Sequence, residues 1–104
     1  MNCLIRIEYS GEVKIYGYEQ PSDRHDDLWV FEISRRQKNI IELLQDIQKT
    51  LENQKNKLQE LVDSGADVFL FLEHEELAQV IIKNETLSLL ANIGAHLEIY
   101  HPER

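Results

Sequence analysis

Between Asn39 and Ser64 the apolar residues recur with a period that suits a helix and no strand. Ile40, Leu44, Ile47, Leu51, Leu58 and Leu61 follow one another in alternating steps of four and three, interrupted only at Gln54. Those steps put the side chains in one stripe along a single helical face. Asn39 caps the start by accepting from a free backbone N–H, with Glu42 three residues on to complete a capping box. Gly65 ends the helix by taking the left-handed conformation. Such a helix is about 39 Å long, whereas a strand of ordinary length spans about 17–20 Å. One end must therefore overhang its sheet, bend, or cover something else. Residues Glu52 to Lys57 are wholly polar, so the seam is weakest there. The preferred reading is one helix packed mainly through Ile40–Leu51, with a break near Asn53 as the alternative.

Short alternating segments flank this helix. Cys3, Ile5, Ile7 and Tyr9 share one face of a first strand, with Arg6 and Glu8 on the other. Ser10-Gly11 supplies turn chemistry, and Glu12 to Tyr18 alternates again, with Val13 and Ile15 opposite Lys14, Tyr16 and Tyr18. An N-terminal hairpin is the expectation. Glu19 to Asp27 is a polar loop. Leu28 to Ser34 is a strand with Trp29, Phe31 and Ile33 on one face, and Arg35, Arg36, Gln37 and Lys38 lead on to the helix. Beyond the helix, Val68 to Leu72 is apolar without alternation, as in a central strand covered on both faces. An acidic turn, Glu73 to Glu76, precedes a strand over Ala78–Lys83. Asn84 caps a short helix carrying Leu87, Leu90, Ala91 and Ile93, which Gly94 ends. His96 to Tyr100 is the last strand, with Leu97 and Ile99 inward. The order is βββαββαβ. It implies an α+β fold, with a largely antiparallel sheet of about six strands, one long helix and one short one. Residues 1–104 read as a single domain.

The second half, from Leu28 to Tyr100, resembles the bacterial family known as domain of unknown function 4279. Its marks are a Trp-bearing strand (Trp29), a long Leu-rich helix ending at Gly65, and a helix with Leu87, Leu90, Ala91 and Gly94. A final strand with Leu97 and Tyr100 completes them. Members of that family carry a longer stretch ahead of the Trp strand. The resemblance implies a shared fold and brings no reaction, cofactor or catalytic residue.

Charge narrows the function classes. Nineteen acidic against eleven basic side chains leave a formal net charge of −8. A surface this negative repels phosphate backbones, so nucleic acid is not an expected partner, whereas a basic protein is; no stretch approaches a membrane span, so a membrane is not expected either. The lone Cys3 fits a reducing compartment. Met1–Tyr9 has no signal-peptide pattern, which points to the cytoplasm. Cys3 shares its face with Ile5 and Ile7, so it reads as a small hydrophobe and not as a nucleophile. His25 with Asp26 and Asp27, and His74 with Glu73, Glu75 and Glu76, carry metal-ligating residue types. Neither group has the spacing of a recognised site, and no metal or other cofactor is expected. The glycines fall at turns, strand ends and caps, not in a phosphate loop.

These features predict a non-enzymatic acidic binding protein, most concretely a bacterial immunity protein that neutralises a basic toxin domain. Its partner-binding residues would be the loop Asp23, Asp26 and Asp27, the turn Glu73, Glu75 and Glu76, and Tyr18 as an aromatic anchor. No catalytic residue is expected. One alternative is a homo-oligomeric module joined through the overhanging helix end at Leu58, Leu61 and Val62. Another is a small-molecule or metal binder with a pocket near Trp29 and His74.

Overall fold

A computed structural model of the chain describes residues 2–21, 27–34, 39–73 and 81–100. The elements run β1 (Asn2–Glu8), β2 (Leu28–Ser34), α1 (Ile40–Asp63), β3 (Asp67–Glu73), α2 (Asn84–Ile93) and β4 (His96–Tyr100). The four strands form one sheet in the order β2-β1-β3-β4. β1 is antiparallel to both of its neighbours, and β3 and β4 are parallel. The fold is therefore α+β with a mixed sheet. It differs from a largely antiparallel sheet of about six strands because each helix acts as a crossover. α1 carries the chain back so that β3 runs the same way as β2, and α2 does the same between β3 and β4.

The N-terminal hairpin is replaced by longer-range pairing. Both edges of β1 are taken, by β2 and by β3, and residues 12–18 form no strand. That segment instead crosses beside β2, which it meets in one bridge, with Val30 N–H donating to Glu19 O at 2.8 Å and Glu19 N–H returning to Val30 O at 3.0 Å. A turn in which Tyr18 N–H donates to Ile15 O (3.3 Å) rotates Tyr18 to the same side as Val13 and Ile15. All three are buried, although strict alternation would put Tyr18 opposite them. Gly17 makes the turn possible. Its φ is +93°, and a Cβ there would stand 2.6 Å from a ring carbon of Phe31.

The alternation of β1 survives folding, and β3, apolar on both faces in the sequence, alternates in burial as well. Cys3, Ile5 and Ile7 face the helices together with Val68, Leu70 and Leu72, and all six are at most 1% exposed. Register then places Leu4, Arg6 and Glu8 with Phe69, Phe71 and Asp67 on the opposite face. β3 is central, but its outer rings are only half-buried, so the unbroken apolar run does not mean cover by an element on both sides. Of the expected strand at Ala78–Lys83, residues 81–83 are not extended into the sheet, and 78–80 lie outside the described residues.

The long helix forms without a break at Asn53. Asn39 Oδ1 accepts from Glu42 N–H at 2.8 Å. At the far end Ala66 N–H donates to Leu61 O and Gly65 N–H to Val62 O, a Schellman stop that needs the positive φ of Gly65. Its buried line is Leu43, Ile47, Leu51, Gln54 and Leu58. Leu43 therefore takes the innermost place expected of Leu44, which lies half-buried, and the side chain of Ile40 is outside the described set. Gln54, the one polar interruption, is buried because the Tyr18 hydroxyl donates to its Oε1 at 2.6 Å. Thr86 Oγ1 donates to Gln48 Oε1 at 2.6 Å and ties α1 to α2.

The length mismatch is resolved inside the chain. At 24 residues α1 is about 36 Å long, and its extra reach packs on α2 and on the segment around Tyr18. Leu58 is fully buried, and Val62 lies against Gly94. Leu58 is thus covered by the chain itself, while Leu61 and Val62 are half-buried against its core. The start of α2 also differs in detail. Lys83 holds the cap position with no side-chain bond, and Asn84 sits in the first turn.

Candidate interaction surface

Both helices lie on one face of the sheet, so among the described residues the other face carries no helix. Its side chains follow from the register: Leu28, Val30 and Glu32 on β2, Leu4, Arg6 and Glu8 on β1, Asp67, Phe69, Phe71 and Glu73 on β3, and His96, Glu98 and Tyr100 on β4. Among the described residues Arg6 is its one arginine or lysine, against the carboxylates Glu8, Glu32, Asp67, Glu73 and Glu98. The Arg6 guanidinium stands 4.6 Å from the centroid of Phe69 and 5.9 Å from that of Phe71, and its Nη2 donates to Glu98 Oε2 at 2.8 Å. Its Nε lies 3.8 Å from Glu8 Oε1, beyond hydrogen-bond reach, and is buried without a partner. The surface thus holds a guanidinium by cation–π attraction plus one carboxylate. Phe71 stacks on Tyr100 at 6.2 Å and Phe69 meets His96 at 5.0 Å, so aromatic rings run across β3 and β4.

Of the two acidic segments singled out in the sequence, the described members, Asp27 and Glu73, stand at opposite ends of this sheet. Asp27 is exposed beside the end of β1, where its carbonyl accepts from Tyr9 N–H at 2.8 Å. Glu73 pairs across from Asn2 at the start of β1, and Asn2 Nδ2 donates to its carboxylate at 3.3 Å. Six residue steps, about 20 Å, separate the two ends. Asp23, Asp26, Glu75 and Glu76 lie outside the described residues, as do His25 and His74. Tyr18, expected as an anchor for a partner, is a core residue. It is 9% exposed, meets the Phe31 ring at a tilt with centroids 5.2 Å apart, and spends its hydroxyl on Gln54. The missed signal was Gln54 itself, since a polar break in an apolar stripe asks for a polar partner opposite it.

Other candidate chemistry can be placed in the same way. Burial pushes the Cys3 thiol up to about 12, far from a ready thiolate. Burial also raises the Tyr18 phenol well above its ordinary value. Among the described residues no group of three or more His, Cys, Asp and Glu is arranged to hold a metal, and no helix is long and apolar enough to cross a membrane. Trp29 pairs with Ile7 toward one end of the sheet and Glu73 stands at the other; His74, the second member of the expected pocket, lies outside the described residues. A groove of about 600 Å³ opens elsewhere, between the first turns of α1 and the start of α2, lined by Ile41, Leu44, Gln48, Lys49, Lys83 and Thr86 among others.

The fold and surface define a class: a mixed α+β sheet with helices on one side and an acidic, aromatic face on the other. Comparison with protein-family models, with curated proteins and with solved structures finds no match to this chain.

Proposed function

We propose that this chain is a non-enzymatic acidic binding protein of the cytoplasm, of the kind that neutralises a basic toxin domain. The observation that carries this reading is the helix-free sheet face, where rings and carboxylates outnumber a single arginine already paired to Glu98. Carboxylates around aromatic rings suit lysine- and arginine-rich surfaces, because complementary fields speed encounter and rings hold cations at short range. A formal net charge of −8 extends that field over the whole molecule. A standard interface covers about 800 Å² per partner, roughly 30 Å across. One partner can therefore touch the face and both acidic ends. The likeness to domain of unknown function 4279 belongs to the same proposal as a statement of ancestry and adds no activity.

The test is affinity capture from the native host, followed by association kinetics with the purified partner at rising salt. A basic partner whose association slows steeply with salt supports the reading, and replacing Asp26 and Asp27 by Lys should slow it further. An acidic or salt-indifferent partner sinks it.

A further inference from the structure

One carboxylate on the helix-free face is only partly used. Glu98 is the middle residue of β4, and His96 and Tyr100 stand about 7 Å to either side of it on the same face. Both of those rings meet rings of β3: His96 lies 5.0 Å from Phe69 between centroids, and Tyr100 stacks on Phe71 at 6.2 Å. Arg6 reaches Glu98 from β1, passing 4.6 Å from the Phe69 centroid, and donates to Oε2 alone. Among the described residues Oε1 has no partner, and the Glu98 side chain stays 45% exposed. A carboxylate has room for several donors, and this one meets a single guanidinium nitrogen. β4 ends the strand order, so no described strand stands beyond it.

Arg6 shows what these surroundings accept. Its guanidinium is held by a ring face and one carboxylate oxygen, and the remaining oxygen, with rings to either side, offers the same terms to a second guanidinium. We infer that the partner docks through an arginine side chain that donates to Glu98 Oε1 between the rings of His96 and Tyr100. This rests on the functional reading above and adds the group that makes the contact. Arginine suits the place better than lysine. Its planar fork brings several donors to one carboxylate and stacks on rings, whereas an ammonium is a compact, strongly hydrated charge. Charge decides the occupant. Glu8, Glu32, Asp67 and Glu73 share the face, so a basic partner is drawn to it, while a second copy would bring its own −8.

The probe is a pair of short peptides of equal charge, one carrying arginines and one lysines, titrated at low salt into isotopically labelled protein and followed by amide shifts. The arginine peptide should shift Phe69, His96 and Glu98 and bind at least about fivefold more tightly than its lysine counterpart. Glu98→Gln should weaken it about tenfold, one decade being about 1.4 kcal/mol, and bring the two peptides level. Asp63→Asn, which removes one charge from the end of α1, should leave the arginine preference in place. Arg6→Gln separates direct contact from an effect passed on by Arg6. It frees Oε2 as well and should tighten the arginine peptide, whereas weaker binding would overturn the direct contact. Equal binding of both peptides, indifferent to Glu98→Gln, leaves the charge reading standing and overturns the arginine contact. If neither peptide binds, the charge reading falls with it. Sedimentation showing a dimer that Glu98→Gln dissolves would also overturn the proposal, by making a second copy the occupant.

Discussion

The two faces of the sheet solve different problems with the same alternating strands. On the helix side Ile5, Ile7, Val68, Leu70 and Leu72 are fully buried in the core, among aliphatic side chains and the rings of Trp29 and Phe31. On the other side Arg6, Phe69, Phe71, Glu98 and Tyr100 keep part of their surface in water. The first arrangement maximises area removed from water and tolerates little change. The second mixes rings and charges that satisfy one another while staying accessible. Stability is concentrated on one face, and recognition has the other available to it.

The largest expected effect tests the packed side. Leu58→Ala should cost about 2–5 kcal/mol in urea unfolding, while Tyr100→Ala, half exposed, should stay within about 0.5 kcal/mol. Equal costs would mean that the outer face is packed as tightly as the inner one. A Leu58→Asp protein should unfold and not merely dissociate, because Leu58 is covered by its own chain.

Next comes the polar contact inside the packed side. Tyr18→Phe leaves Gln54 buried without its donor, which should cost about 1–3 kcal/mol. Adding Gln54→Leu should recover most of that loss. A double variant no better than the single would show that the 2.6 Å bond is not what makes Gln54 tolerable.

Alkaline titration gives a third, smaller slope. In the unfolded chain the Cys3 thiol ionises near 9.0, whereas in the fold it holds its proton up to about 12. Above pH 9.0 the folded state therefore binds more protons, and stability present below that pH falls as pH rises toward 12. The slope is at most about 1.4 kcal/mol per pH unit. Cys3→Ala should flatten it in urea midpoints measured across that range. An unchanged slope would assign the effect to other groups, Tyr18 first among them.

The smallest effect belongs to the outer ion pair. Glu98→Gln should cost less than about 1 kcal/mol, since both side chains are partly exposed. A larger loss would mark Arg6 and Glu98 as structural, and would weaken the contrast between the faces.

Much of the fold was legible because periodicity reports burial directly. The long helix, its Asn39 cap and Gly65 stop, and the inward face of β1 all follow from spacing and turn chemistry, whereas the apolar run Val68–Leu72 does not say which of its faces is inward. The hairpin was not legible, since Glu12–Tyr18 carries the alternation of a strand while both edges of β1 are taken by partners far along the chain. Tyr18 illustrates the same limit. Alternation put it opposite Val13 and Ile15, and a turn at Gly17 brought it round to Gln54. Of the candidate site, the acidic segments were visible, but that Asp27 and Glu73 stand at opposite ends depends on strand order.

What the amino-acid sequence determined by itself is which side chains must leave water and where helices start and stop, because those depend on neighbours a few residues away. Only the tertiary structure decided which strands pair, which side chains share the helix-free face, and what Gln54 meets. Those depend on long-range competition for sheet edges, which local spacing does not encode.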